Sequence, residues 1–191
     1  MKGYAIVCAV ALVAVTAFGC FGFASAFGVP VWSALLYEVG AISAVLFFDL
    51  AVLWIVRLLP GKWFLPERKL FKTDGVPYSF LHIERWQASV PFTGSFQSCL
   101  QKKNPSALLE GMIETGRVET AHWVFSFLGF LSLLFFPANT LLWFALPVSL
   151  VNFVLAVPPA LVARFTRPVL ERRYREAVSR EAKRKAALAD A

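Results

Sequence analysis

Four long apolar stretches alternate with polar ones along the chain. Residues 4–27 carry no charge and are long enough, at about 1.5 Å per residue, to cross roughly 30 Å of hydrocarbon as a helix. "GVPVW" (28–32) predicts a short turn with Trp32 at an interface, and residues 33–58 form a second span that contains Glu38 and Asp49 and closes on Arg57. Residues 59–117 are polar and rich in proline, glycine and aromatic residues. The apolar run 121–163 is too long for one crossing, and "PANT" (137–140) divides it into spans at about 120–136 and 141–163. Pro147, Pro158 and Pro159 predict kinks in the fourth span, because each lacks an amide donor. The tail 164–191 reads as a basic helix up to its last few residues.

This pattern predicts an all-α membrane protein. It is a single polytopic domain over residues 1–191, with four transmembrane helices, a loop region at 59–117 and a basic C-terminal helix. Lys2, the following apolar core and "FASAF" imitate a secretory signal, but the run is longer than a typical signal core, so an uncleaved first helix is expected. Composition agrees: 58% hydrophobic residues and a mean hydropathy of +0.64 are too apolar for a soluble domain. The net charge of +7 does not call for nucleic acid. All nineteen Lys and Arg residues fall at Lys2, within Arg57–Arg117 or within Arg164–Lys185, as the positive-inside rule requires of segments that stay in the cytoplasm. The expected setting is the bacterial cytoplasmic (inner) membrane, with both termini and the 59–117 loop on the cytoplasmic side. Cys8, Cys20 and Cys99 show neither a CxxC nor a metal-ligand spacing, which argues against a disulfide framework.

The densest candidate chemistry lies where the third span begins, in "GMIETGRVETAHW" (111–123). At about 100° per residue, with Glu114 at 0°, Arg117 falls near 300°, Glu119 near 140° and His122 near 80°. Glu119 with His122, and Glu114 with Arg117, are therefore i, i+3 neighbours. A histidine held by a carboxylate at the edge of the hydrocarbon suits general base catalysis, taking a proton from a lipid or sugar hydroxyl as it attacks an acyl carbonyl. The plainer reading is an interfacial Glu114–Arg117 ion pair followed by a His122–Trp123 anchor. A metal reading of E-x-x-H needs two such motifs and further glutamates from partner helices; only one such motif is present, so no metal is expected.

Other candidates are more scattered. Glu38 and Asp49 are eleven residues apart, about 16 Å along one stripe of a helix. Glu38 is expected near the outer surface and hydrated. Asp49 lies deeper, as a substrate contact or as part of an ion path. His82 and Glu84 in "HIERW" form a weaker acid–base pair. Arg164, Arg167, Arg172, Arg173 and Arg175 suit the phosphates of a nucleotide-bearing acyl donor or anionic headgroups. The sequence carries no H-x-x-x-x-D, G-x-S-x-G, H-E-x-x-H, Walker or G-x-G-x-x-G motif.

"MIETGRVETAHW", read as M-I-E-T-x-R-x-E-x-x-H-W, resembles the glycosyl-4,4'-diaponeurosporenoate acyltransferase family of carotenoid biosynthesis. "LPGKWF" (59–64), the Arg85–Trp86 pair followed by Pro91, and "VPPALVARFTRP" (157–168) agree in order. The resemblance covers roughly 59–175 and implies transfer of a fatty acyl group to the sugar hydroxyl of a glycosylated carotenoid acid at the membrane. It carries over Glu114, Arg117, Glu119 and His122, and more loosely Arg164, Arg167 and Pro168. The first two spans have no obvious counterpart, so another glycolipid or isoprenoid acceptor fits as well.

The resulting expectation is a membrane acyltransferase that needs no cofactor and uses acyl-CoA or another activated acyl donor as co-substrate. Its partners are a membrane lipid or glycosylated isoprenoid acceptor, the acyl donor and the bilayer, without nucleic acid. His122 is the base, oriented by Glu119. Arg117, fixed by Glu114, stabilises the carbonyl oxygen or binds the donor. Arg164 and Arg167 contact donor phosphates, while Asp49, Arg85 and Trp86 contact substrate. The rivals are a small transporter or scaffold using Glu38 and Asp49, and a metal-dependent membrane hydrolase.

Overall fold

A computed structural model describes residues 2–65, 82–87, 90, 98, 101 and 104–189. The described residues are helical with no strand, and four helices are long and apolar enough to cross a membrane. Helix α1 (Lys2–Phe27) and helix α2 (Val31–Leu58) are joined by a turn at Gly28. Pro30 starts α2, and Leu59, in an extended conformation before Pro60, ends it. A 3-10 turn at Gly61–Phe64 follows, then the short helix α3 (Ile83–Trp86). Helix α4 (Pro105–Leu128) continues as a 3-10 segment, Gly129–Phe135. A single turn (Ala138–Thr140) and a π-helical turn (Leu141–Ala145) lead into α5 (Leu146–Ala189).

Two helices run beyond the spans expected from hydropathy. α4 begins at Pro105, inside the stretch read as polar loop. Asn104 caps it by accepting a hydrogen bond from the Ser106 amide at 3.1 Å, and Pro105 takes the first helical position, where no amide is needed. Leu108 and Met112, one turn apart, pack against Leu170 and Ala177 of α5. The polar half of α4 and the basic half of α5 thus form a helical pair continuous with the apolar bundle.

α5 remains helical through Pro158, Pro159 and Pro168. A proline at position 159 leaves the carbonyl four residues earlier, Leu155, without its helical amide. The Tyr4 hydroxyl of α1 donates to that carbonyl, so the defect doubles as a contact between α1 and α5.

The interior at the far end of the bundle is aromatic: Phe23 and Tyr37 lie 5.0 and 5.8 Å, ring to ring, from fully buried Phe144 of the π turn. Gly19 of α1 meets this turn closely; a Cβ there would lie 3.0 Å from the Trp143 carbonyl and 2.8 Å from Glu38 Oε2. The outer surface stays apolar, with Val13, Phe21, Leu36, Phe47, Leu50 and Leu134 exposed, as a surface solvated by lipid tails requires.

Candidate active site

Where the apolar bundle meets the polar helical pair, one carboxylate gathers two arginines. Glu119 of α4 is 3% exposed. Its Oε2 accepts from Arg167 at 3.2 Å and its Oε1 from Arg164 at 3.3 Å. Arg167 is 1% exposed and also donates to the Phe64 carbonyl. The space it fills exists because residue 116 is glycine: a Cβ there would sit 2.7 Å from an Arg167 terminal nitrogen and 2.8 Å from Phe64 Cβ. The buried guanidinium is thus compensated by a carboxylate and a carbonyl, the arrangement a buried ion pair needs to be tolerated.

This geometry corrects two expectations. Arg167 is enclosed and does not present itself to a donor phosphate, because its long side chain spans the gap that Gly116 leaves. Glu119 does not orient His122. Its oxygens are taken by Arg164 and Arg167, which come from 45 and 48 positions along the chain.

His122 is half-buried one turn further along α4, and its Nδ1 lies 2.8 Å from the Val118 carbonyl. A carbonyl only accepts, so Nδ1 carries the proton and the basic lone pair resides on Nε2. Helical side chains lean toward the N-terminus, which brings the His122 ring to a carbonyl four residues back, while Glu119 is held by the two arginines. The Phe125 ring lies 5.3 Å away, and Ser126 donates to the His122 carbonyl at 2.8 Å.

Arg117 joins α4 to the end of α2. One terminal nitrogen donates to Glu114 at 2.8 Å, the other to the Leu59 carbonyl at 3.2 Å, and the guanidinium lies 5.7 Å from the Phe64 ring centre. The expected Glu114–Arg117 pair is therefore present, with Glu114 exposed and Arg117 partly so. Arg164 keeps 28% of its side chain exposed, which leaves it reachable from outside.

Above His122 the bundle holds a polar layer. Asn152 Nδ2 donates to Asp49 at 3.4 Å and to the Phe125 carbonyl at 3.2 Å. One turn higher, Ser149 donates to the Gly129 carbonyl at 2.9 Å, where α4 tightens to the 3-10 form. A carboxyl at the centre of a membrane helix costs about 2.5–3.5 kcal/mol, and one long hydrogen bond offsets little of that. Glu38 corrects another expectation: it is 0% exposed, closed in by Gly19 and the π turn rather than hydrated at a surface. Among the described residues no hydrogen-bond chain links it to Asp49, and no three of His, Cys, Asp and Glu come together. Arg85 and His82 are exposed at α3, away from the Glu119 cluster's bonds, whereas the Trp86 and Glu84 side chains, Pro91 and Cys99 lie outside the described residues.

Comparison with family models finds a match to glycosyl-4,4'-diaponeurosporenoate acyltransferase over residues 60–176, more than half of the chain. The chain belongs to this family. No curated protein and no solved structure matches it. The part of this acyltransferase within the match carries Glu114, Arg117, Glu119, His122, Arg164 and Arg167, so the ionic cluster and the histidine are both elements of the family segment. α1 and α2, with Glu38 and Asp49, precede it. Sequence reasoning missed Gly116, the Phe64 carbonyl, Tyr4 and Asn152. Gly116 carried a signal, since a glycine in a helix interior marks a close approach, and so did Asn152, a polar residue in an apolar run.

Proposed function

We propose that this acyltransferase moves a fatty acyl group from an activated donor to a hydroxyl of a glycosylated isoprenoid, with His122 as general base. One observation carries the reading: the Val118 carbonyl fixes the proton on His122 Nδ1, so Nε2 is the basic atom of a half-buried imidazole where the ionic cluster gives way to apolar helix. As the acceptor hydroxyl gives its proton to Nε2, its oxygen bonds to the acyl carbonyl carbon. Collapse of the tetrahedral intermediate breaks the bond to the leaving group, which departs with the proton from the imidazolium. For a thioester donor the leaving group is a thiol.

Arg164, partly exposed and tied to Glu119 through one nitrogen, is placed to meet a donor phosphate or the carbonyl oxygen. Arg117, held by Glu114 and Leu59, supplies a second positive charge beside the same helix. Glu119 and Arg167 act beneath them as the fixed frame. The distribution of basic residues supports a cytoplasmic setting for this end of the bundle, both termini and the donor.

The experiment is acyl transfer by purified protein in lipid nanodiscs. His122→Ala is expected to lower kcat by about 10²–10⁴, the usual contribution of a general base, with an unaltered thermal midpoint. Wild-type turnover by that variant removes His122 from the chemistry.

A further inference from the structure

We propose that Asp49 and Asn152 form the subsite that recognises the acceptor's sugar, holding by hydrogen bonds the hydroxyls that do not react. The inference rests on the acyl-transfer reading and adds to it the residues that set acceptor choice.

The pair is rich in acceptors and poor in donors. Asp49 Oδ1 takes the Asn152 amide at 3.4 Å, and that amide is shared with the Phe125 carbonyl at 3.2 Å. Among the described residues neither Asp49 Oδ2 nor Asn152 Oδ1 has a hydrogen-bond partner, yet neither atom is sealed from its surroundings. Asp49 itself is only half-buried, between Val45 and Val52 on the inner face of α2 and Leu50 on the lipid face. An apolar environment gives such oxygens nothing to accept from. A ligand that satisfies two acceptors on one hydrogen-bonded pair brings two donors, and the hydroxyls of a sugar ring supply that pattern.

Position supports the same ligand. Asn152 grips the backbone of Phe125, and the Phe125 ring lies 5.3 Å from that of His122. The Phe125 carbonyl stands seven residues, about 10 Å along the axis of α4, from the Val118 carbonyl that holds the base. A hydroxyl at His122 and hydroxyls on the far side of the same sugar ring, with a hydrogen bond at each end, span that distance. Asp49 also comes from α2, outside residues 60–176, while Asn152 and His122 lie inside them. The subsite thus joins a contact from beyond the family segment to the reaction centre within it, which lets acceptor choice differ without altering the base.

The test uses full-length protein in phosphatidylcholine nanodiscs, palmitoyl-CoA as donor, and dodecyl glucoside or dodecanol as acceptor. Asp49→Leu and Asn152→Leu are expected to reduce the preference for the glucoside over dodecanol at least tenfold, through a raised KM for the glucoside. Asp49→Asn, which keeps shape and one acceptor, is expected to fall between them and wild type. Equal losses in kcat for both acceptors would mean the pair is structural and overturn the proposal. If the leucine variants do not fold, Asp49→Asn decides, and a wild-type preference in it overturns the proposal. If wild type acylates neither acceptor, acyl transfer is what fails, and glucoside binding followed by tryptophan fluorescence then tests the subsite. Weaker binding by Asp49→Asn supports the subsite, whereas equal binding rejects it.

Discussion

Replacing Glu119 by glutamine separates two roles that share one carboxylate. In a histidine–glutamate dyad the carboxylate serves His122, and its loss lowers turnover while leaving the fold alone. In the geometry found here it serves Arg164 and Arg167, at 3.3 and 3.2 Å, with both Glu119 and Arg167 almost fully buried. Breaking a buried ion pair by neutralising one partner costs about 3–5 kcal/mol, because the other charge is left uncompensated. Glutamine keeps one accepting oxygen and the shape of the side chain, so the lower end, about 3 kcal/mol, is expected. For a chain of 150–250 residues each 1 kcal/mol shifts the midpoint by about 2–4 °C, which predicts a fall of about 6–12 °C.

The assay is thermal unfolding of purified protein in detergent, followed by near-ultraviolet circular dichroism. Arg167→Met should fall by a similar amount. The double variant should be more stable than the sum of the two losses by at least about 1.5 kcal/mol, since the second change removes the charge the first one strands. A midpoint within about 2 °C of wild type, with acyl transfer lost, would refute the reasoning and return Glu119 to His122.

Two further outcomes follow from backbone contacts. Gly116→Ala gains up to about 1 kcal/mol of helix propensity, yet its Cβ would meet Arg167 at 2.7 Å and Phe64 at 2.8 Å, so a net loss of about 1–3 kcal/mol is expected in the same unfolding assay. Gly40→Ala, whose Cβ would have its nearest neighbour at 3.9 Å, is the control and should be neutral or stabilising. Tyr4→Phe strands the Leu155 carbonyl that Pro159 leaves without an amide and should cost about 1–3 kcal/mol. Adding Pro159→Ala, which restores that amide, should recover most of the loss.

What the sequence made legible was whatever depends on one segment at a time. The four apolar stretches become four helices because span length and the need to satisfy every amide internally are local demands. The Glu114–Arg117 pair is equally local, an i, i+3 contact on one helix. The same rule misassigned Glu119. Its spacing to His122 made them neighbours on a helical wheel, but a carboxylate entering a buried setting takes the strongest partners within reach, and those were guanidinium groups on another helix. Hydropathy also stopped α4 short, since Pro105–Gly116 mixes polar residues with Leu108 and Met112, whose partners on α5 lie some sixty positions away. Asn152 illustrates the limit most clearly. Alone it is a polar residue in an apolar run, and Asp49 alone is a costly carboxyl. Only when α2 and α5 are brought together across 103 positions do they become a hydrogen-bonded pair. Glu119, His122, Asp49 and Asn152 were thus visible singly, whereas the partners each one takes depended on packing between helices that no periodicity encodes.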